Sequence, residues 1–515
     1  MSDASNGLPS LERIEEEWLD PALIETVPVD WVRRHVLLPF RWNGQVAIAG
    51  AEGATLQSYE DLSLLLGEEA VWVTVPAPEI QRAIDKCYFR RLGQADAAAA
   101  QAGQAATDEG TEAPVRREAD DLLAGSADAP VAQYVNVILL EAVKRGASDI
   151  HIEPYAHALT VRYRIDGLLY EQPSPPRNLE NALTARLKVM ARLDLAEKRL
   201  PQDGVARVRV GSREIDVRVS SVPVAEGERI VLRLLHREST RYSLNELGMS
   251  SAMLDLFRGI LREPHGIVLV TGPTGSGKTT TLYAALRELD TAHLNVLTIE
   301  DPIEYQLPNI GQMQVHPKIG LTFARGLRHV LRQDPDVVLV GETRDLETAE
   351  IVVRASLTGH LVFTTLHTND AVGAVTRMVD MGIPPYLLAS ATRAVLAQRL
   401  VRRLCPHCRR PTALTPADAR MLGQPKLAGA TVWEATATGC KECLGGYKGR
   451  TGIHELLAVT STISEAIRTA VPPAELLRLA VAAGFRDMLD DGVEKILAGA
   501  TSVAEVLRSA GARRE

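Results

Sequence analysis

GPTGSGKTTT, residues 272–281, is the stretch that decides the fold. It fits G-x-x-x-x-G-K-[ST] from Gly272 to Thr279, follows the apolar run IVLVT and precedes TTTLYAALREL. A glycine-rich turn between a buried strand and a helix is a phosphate cradle. Gly272, Gly275 and Gly277 let backbone N–H groups turn inward around phosphate oxygens, and Pro273, Thr274 and Ser276 complete the loop. The helix beyond it, with Thr280 in its first turn, adds partial positive charge. Lys278 is expected to reach the β- and γ-phosphates and Thr279 to hold Mg²⁺, so ATP and Mg²⁺ are the expected cofactors. What the energy of the nucleotide does must come from the rest of the chain.

Downstream the pattern is regular. Apolar strands are expected at 267–270, 295–299, 337–340 and 361–366, with helices between them. Alternating βα units imply a mainly parallel sheet covered by helices. Three further stretches follow the ends of these strands. DPDVVLVGETRD brings Glu342 to a strand C-terminus, where it can orient or deprotonate a water; an acid there can also cap the next helix. TIEDPIEY carries Glu300, Asp301 and Glu304, which suit a Mg²⁺–water network or a solvated turn around Pro302. GHLVFTTLHTNDA delivers Thr364, Thr365 and His367 to the same edge. His367 can sense a γ-phosphate, bridge to a neighbouring subunit, or be structural.

The 515 residues imply several domains, since a single core rarely grows past roughly 250–300 residues. Residues 1–91 read as a small α/β module, to which the family resemblance described below assigns partner docking, and 92–130, rich in Ala, Gly, Gln and acids, as a flexible linker. A second N-terminal domain is expected over 131–238, where one helix is followed by period-two runs that argue for an antiparallel sheet. The ATPase domain is expected over 239–400, a tetracysteine metal module over 401–450 and a helical region over 451–515. No apolar run approaches the roughly 18 residues that span a bilayer. The opening MSDASNGLPSLERIEEEWLD is acidic and polar, unlike a secretory signal. A cytoplasmic protein is expected, which, if it works at a membrane, is held there by a partner protein or by the lipid surface.

Four of the five cysteines form two C-x-x-C pairs, Cys405 with Cys408 and Cys440 with Cys443. Two such knuckles supply four thiolates for a closed, structural Zn²⁺ site, with His407 superfluous inside the first; four reduced thiols without metal are the alternative. Cys87, in KCYF, reads as a small buried hydrophobe. Around the first knuckle Arg399, Arg402, Arg403, Arg409 and Arg410 form a basic cluster that suits acidic phospholipid or an acidic partner, though such runs are also simply solvated. The net charge of −8, and few aromatics beside basic residues, give no footprint for nucleic acid.

GPTGSGKTTT, TIEDPIE, LRQDPDVVLVGETRD and GHLVFTTLHTNDA occur in that order, and together they resemble the secretion ATPases of the type II/type IV pilus class. The resemblance extends upstream through ASDIHIEP, VRYRIDG, KRLPQDG and SVPVAEGERIVLRLL. Downstream it runs through AQRLVRRLCPHC, GYKGRTGIHELL and DDGVEKILAGATSVAEVLR, so it covers about residues 130–515 and only loosely the first 90. GER at 227–229, rather than GEK, looks closer to the type II secretion branch than to pilus extension; Thr343 stands where the family is often apolar. The resemblance implies a RecA-like core, a PAS-like α+β second N-terminal domain and a hexameric motor that works on an inner-membrane platform protein. It implies catalysis by Glu342, support from Glu300, Asp301 and Glu304, coupling through His367, and contact of Arg162 and Arg164 with the phosphates from the other domain. By spacing alone, those arginines share the solvated face of a strand. The function so implied is protein export through pseudopilus assembly. Pilus extension is the nearest alternative; a nucleic-acid motor and a non-hydrolysing scaffold are more distant ones.

Overall fold

The computed structural model describes residues 9–20, 36–51, 70–80, 130–173, 175, 177–210, 213–236 and 242–512, with isolated positions at 23, 59, 60, 62, 63, 66, 83, 120 and 121. The chain divides into two compact units, Met1–Arg237 and Glu238–Glu515. Cys87 and almost all of the expected linker lie outside the described residues.

In the first unit, strands β1 (Leu37–Trp42) and β2 (Gln45–Gly50) pair antiparallel, and β3 (Val71–Thr74) joins β2 in parallel. Asn43 and Gly44 turn the hairpin with φ of 52° and 78°, the left-handed pair that a two-residue loop demands. A larger sheet takes the order β4-β8-β9-β10-β5-β6-β7, with β4 at Asp120–Asp121, β5 at Ala147–Pro154, β6 at Leu159–Ile165 and β7 at Leu168–Gln172. Strands β8 (Gln202–Val210), β9 (Arg213–Val224) and β10 (Gly227–His236) complete it; as expected, its pairs are antiparallel, β4 excepted.

Alternation along the strands sorts the two faces. Ile150, Ile152, Val161, Tyr163 and Ile230 pack with helices α1 (Pro130–Lys144) and α2 (Glu180–Met190). The residues between them (Asp149, His151, Glu153, Arg162, Arg164, Arg229 and Arg233) turn to the other face. Under α2, the buried Lys188 ammonium donates to Glu228 at 2.6 Å, and Ser221 donates to the same carboxylate at 2.9 Å. Glu228 is the acid of the GER stretch.

The second unit holds a seven-stranded sheet. In chain order its strands are β11 (Gly266–Thr271), β12 (Val296–Glu300), β13 (Gly311–Gln314), β14 (Val337–Val340), β15 (Leu361–Leu366), β16 (Thr392–Leu404) and, after β17 (Arg410–Ala413) and β18 (Thr431–Glu434), β19 (Tyr447–Ala458). Across the sheet they lie β13-β12-β14-β15-β11-β16-β19, parallel except that β19 runs antiparallel to β16. Helices α3 (Ser251–Leu261) and α4 (Lys278–Glu288) join one apolar cluster. Helices α5 (Phe323–Val330), α6 (Leu346–Leu357), α7 (Ala371–Asp380) and α8 (Pro385–Ala391) join another. The parallel βα core expected from the sequence is present.

Five strands of this unit depart from expectation. β13, β16, β17 and β18 are not foreseen, and 451–515, expected as helices, opens with the end of strand β19. The expected divisions at 400/401 and 450/451 each fall inside a strand. TRAVLAQRLVRRL is rich in helix formers, and a place between β11 and β19, hydrogen-bonded on both sides, overrides that preference. The cysteine module is an insertion between β16 and β19. It contains β17 and β18, paired antiparallel, and the short helix α9 (Pro416–Met421). Helices α10 (Ser461–Arg468), α11 (Pro473–Ala482), α12 (Met488–Leu497) and α13 (Val503–Ala510) follow.

The last of these is held by charge. Glu505, 2% exposed, accepts from the backbone N–H of Arg402 at 3.0 Å, from the Arg402 side chain at 2.7 Å and from Arg508 at 2.8 Å. Burial pushes its pKa up, but donation from Arg508 and Arg402 outweighs this and holds the carboxyl at about 2. A depressed carboxylate pKa stabilises the fold above the ordinary carboxylate range and loses that contribution as pH falls towards the folded value. Glu505→Gln is therefore expected to cost about 2–3 kcal/mol in denaturant unfolding at pH 7, and the difference from wild type should shrink towards zero near pH 2.

Candidate functional site

The phosphate loop leaves the C-terminal end of β11, a strand whose six residues are all buried. Gly272, Gly275 and Gly277 have φ of 144°, 78° and 91°, so the turn is one that glycine enters without steric cost. A Cβ on Gly272 would strike the carbonyl oxygen of Gln398, and one on Gly277 would lie 3.1 Å from the Gln398 amide nitrogen. Gln398, on β16, itself donates to the Ser276 carbonyl at 2.8 Å. Lys278 opens α4 and donates to the carbonyls of Gly272 and Pro273 at 2.7 and 3.1 Å, which sets its ammonium in the middle of the loop. Burial lowers its pKa; the charge of Glu342 opposes that. Pro273, Thr274, Gly275 and Thr279 are exposed, Thr280 is half-buried, and Ser276 is buried with no partner for its hydroxyl among the described residues.

Glu342 and His367, from the ends of β14 and β15, meet beside this loop. The Glu342 carboxylate lies 3.7 Å from His367 Nε2 and 2.7 Å from Arg344 Nε. Burial lowers the His367 pKa and so does Lys278, against the pull of Glu342, so the imidazole is neutral at pH 7. Thr271, the residue before the loop, ties β11 to this segment: its hydroxyl accepts from the Thr368 N–H at 2.9 Å and lies 2.8 Å from the Thr368 hydroxyl. Thr364 and Thr365 are buried, and Thr365 donates to the Gly341 carbonyl at 2.7 Å. Thr343 is accommodated by a 2.8 Å bond with Thr364, which satisfies a hydroxyl where an apolar side chain would need none.

The acids after β12 separate. Asp301 is exposed and Glu304 half-buried, whereas Glu300 is 4% exposed and fully occupied. Its carboxylate accepts from Tyr283, from Thr298 at 2.6 Å and from Gln312 at 3.0 Å. With three protein donors it anchors α4 and β13 to β12, a structural role that spacing did not indicate.

Arg162 and Arg164 belong to the first unit and lie together on the polar face of β6, as period-two spacing requires. Arg162 contacts Glu153 at 2.5 Å; Arg164 lies 3.9 Å from Asp149 and donates to the Gly167 carbonyl at 2.9 Å. Arg229 reaches Glu153 at 2.6 Å, and Arg233 reaches Asp149 at 2.9 Å. Four arginines thus share two buried carboxylates. His151 sits among them, its pKa lowered chiefly by burial and by Arg164, and the four arginines outnumber the two carboxylates they share.

The four cysteine sulfurs lie within 4.8 Å of one another. Cys405–Cys440 is 3.8 Å, Cys440–Cys443 3.7 Å and Cys408–Cys443 3.5 Å. A tetrahedron with metal–sulfur bonds of about 2.3 Å has edges of about 3.8 Å, so the set fits Zn²⁺. His407 is exposed. The basic cluster nearby is largely committed inside the fold. Arg402 pairs with Glu505 and lies over Tyr447, Arg409 lies over Trp433 and donates to the Gly499 carbonyl, and Arg399 donates to Ser509. Of the five, Arg403 and Arg410 are exposed. Both aromatic partners are too distant in sequence for local reading to find. Gln398, Thr271, Tyr283 and Arg344 also escaped that reading; Gln398, as a polar residue amid an apolar run, gave the only signal.

Comparison with known proteins agrees with this geometry. The sequence pattern of the Type II/IV secretion system protein family matches residues 125–508, and that of the MshEN domain matches residues 6–94. The type II secretion system protein E of Aeromonas hydrophila is 53% identical over 396 residues, 76% of this chain and 78% of that protein. The type II secretion system ATPase E of Vibrio cholerae is 52% identical over 390 residues, 76% of this chain and 77% of that one. Among solved structures, the Legionella pneumophila ATPase DotB has a TM-score of 0.54 at 22% identity, covering 73% of this chain and 94% of that one, a likeness of fold. The family expected from the four motifs is the family found: this chain belongs to the type II/IV secretion system proteins.

Proposed function

We propose that the protein is the ATP-hydrolysing motor of a type II secretion system, powering protein export across the outer membrane through pseudopilus assembly. The observation that carries this reading is the meeting of Lys278, Glu342 and His367 at one end of the parallel sheet, in a chain more than half identical to proteins named for that system. ATP with Mg²⁺ binds at residues 272–280, with Lys278 on the β- and γ-phosphates and Thr279 on the metal. Glu342, released from Arg344, orients and deprotonates the attacking water, and Asp301 and Glu304 support the metal's water shell. Neutral His367 reports the γ-phosphate state to the segment that follows it.

Arg162 and Arg164 approach the phosphates when the first unit closes over the nucleotide, so closure becomes a condition for hydrolysis. The excess of arginines over the carboxylates they share supports this. The working assembly is a homohexamer, docked through residues 1–91 on a membrane-anchored partner and acting on an inner-membrane platform protein. Among the described residues no helix is long and apolar enough to cross a membrane, which suits peripheral attachment through partners. Cys405, Cys408, Cys440 and Cys443 hold structural Zn²⁺, which clamps the ends of β16 and β19.

ATP turnover should rise strongly with acidic phospholipid vesicles plus the partner's cytoplasmic domain, and stay flat with single-stranded or duplex DNA; stimulation by DNA alone would move the protein to the nucleic-acid motors. Glu342→Gln should lower kcat by at least ~100-fold with nucleotide affinity kept, and Lys278→Ala should abolish binding. Arg162→Ala should lower kcat of the assembled motor roughly 10- to 100-fold and leave the slow turnover of the isolated chain unchanged. Elemental analysis should find one zinc per chain. Cys440→Ser should release it and lower the thermal midpoint, an effect that a chelator reproduces on wild type.

A further inference from the structure

Strands β16 and β19 do more than extend the sheet. Next to Gln398, which holds the phosphate loop, Arg399 turns towards the histidine segment. Its guanidinium donates to the backbone carbonyl and to the side-chain oxygen of Asn369, both at 3.3 Å, and from its other end to the Ser509 carbonyl in α13. On β19, Glu455 lies opposite Ala397 in register and is 5% exposed. One of its oxygens accepts from the N–H of Ala371 at 2.6 Å and the other from the N–H of Met488 at 3.0 Å.

Ala371 opens α7, four residues beyond His367, and Met488 opens α12. Neither helix depends on Glu455 for an ordinary cap. Asp370 accepts from the Gly373 N–H at 2.6 Å and Asp487 from the Asp490 N–H at 2.9 Å. The additional carboxylate is costly to keep there. Burial, then the charges of Asp370 and Asp487, raise its pKa to about 7 against the pull of the two N–H groups. What it adds is a bond between two helix starts that each already have a cap. One follows the histidine; the other begins the C-terminal pair of helices.

We propose that Glu455 is a positioning residue for ATP hydrolysis, joining the segment 367–371 to the C-terminal helices so that the placement of those helices sets the placement of His367. Arg399 makes the second, independent link, from Asn369 to the end of α13. The C-terminal helices thereby become a place from which a partner can throttle turnover without touching the nucleotide. This rests on the reading of His367 given above.

The test is steady-state ATP turnover and binding of a fluorescent ATP analogue by the full chain carrying Glu455→Gln, Arg399→Ala, both, or His367→Ala. A glutamine keeps the shape but offers one acceptor for two N–H groups. Each of the first two variants is expected to lower kcat roughly tenfold with nucleotide affinity within about twofold. The pair should fall by less than the product of the two, because both act on one segment. Wild-type kcat in either folded variant overturns the proposal. So does a parallel loss of kcat, affinity and thermal midpoint, which a purely structural role would give. If Glu455→Gln does not fold, Arg399→Ala decides alone. If His367→Ala is itself without effect, the reading of the histidine fails; if it slows turnover while the other two do not, only the positioning role fails.

Discussion

The loop from Gly272 to Gly277 is a backbone shape before it is a set of side chains, and the rest of the second unit is arranged to hold that shape. Three residues with positive φ leave no room for a Cβ at either end, because Gln398 closes in from β16. The same side chain then fastens Ser276 by its carbonyl. Thr271 fixes the strand end to Thr368 from the opposite neighbour, β15. A phosphate cradle needs N–H groups that already point inward, since a loop that had to order itself on binding would lose that much affinity. β11 has a parallel partner on each side for this reason, and its order in the sheet follows.

Around the cradle, charge is handled in two ways. Glu300 and Glu505 are buried and saturated with donors, and they act as rivets. Glu342, His367 and Lys278 are left only partly satisfied and close to one another, with pKa values for the lysine and histidine pulled down. That contrast distinguishes the saturated Glu300 from the partly satisfied Glu342 better than position does, since both stand at the ends of buried parallel strands.

Much of this was legible in the sequence. The strand at 337–340 is a continuous apolar run and that at 361–366 a β-branched and aromatic one, both spaced by helical segments, and the cysteine spacing pointed to one cluster. The strand at 392–404 was hidden because its composition favours helix and only its neighbours make it a strand. The role of Glu300 was hidden because Tyr283 and Gln312 reach it from elements with no fixed sequence spacing to it. The basic residues after 398 were legible as charge but not as contacts: Trp433, Tyr447 and Glu505 meet them only once the cysteine module and the last helix have folded back.

The module that carries the four cysteines leaves the sheet at Leu404, the end of β16, and returns at Tyr447, the start of β19, two strands that are already hydrogen-bonded neighbours. Its entrance and exit are therefore fixed by the sheet, and Leu414, Ala419, Leu422 and Val432 tie its interior to the core of the second unit. Its exposed turns, away from the four sulfurs and those buried residues, are free to lengthen or shorten without shifting the register of a core strand. Length changes in those turns are therefore what the architecture accommodates most easily, whereas Gln398, Arg399 and Glu455, inside the same two strands, each bond to backbone groups of other segments.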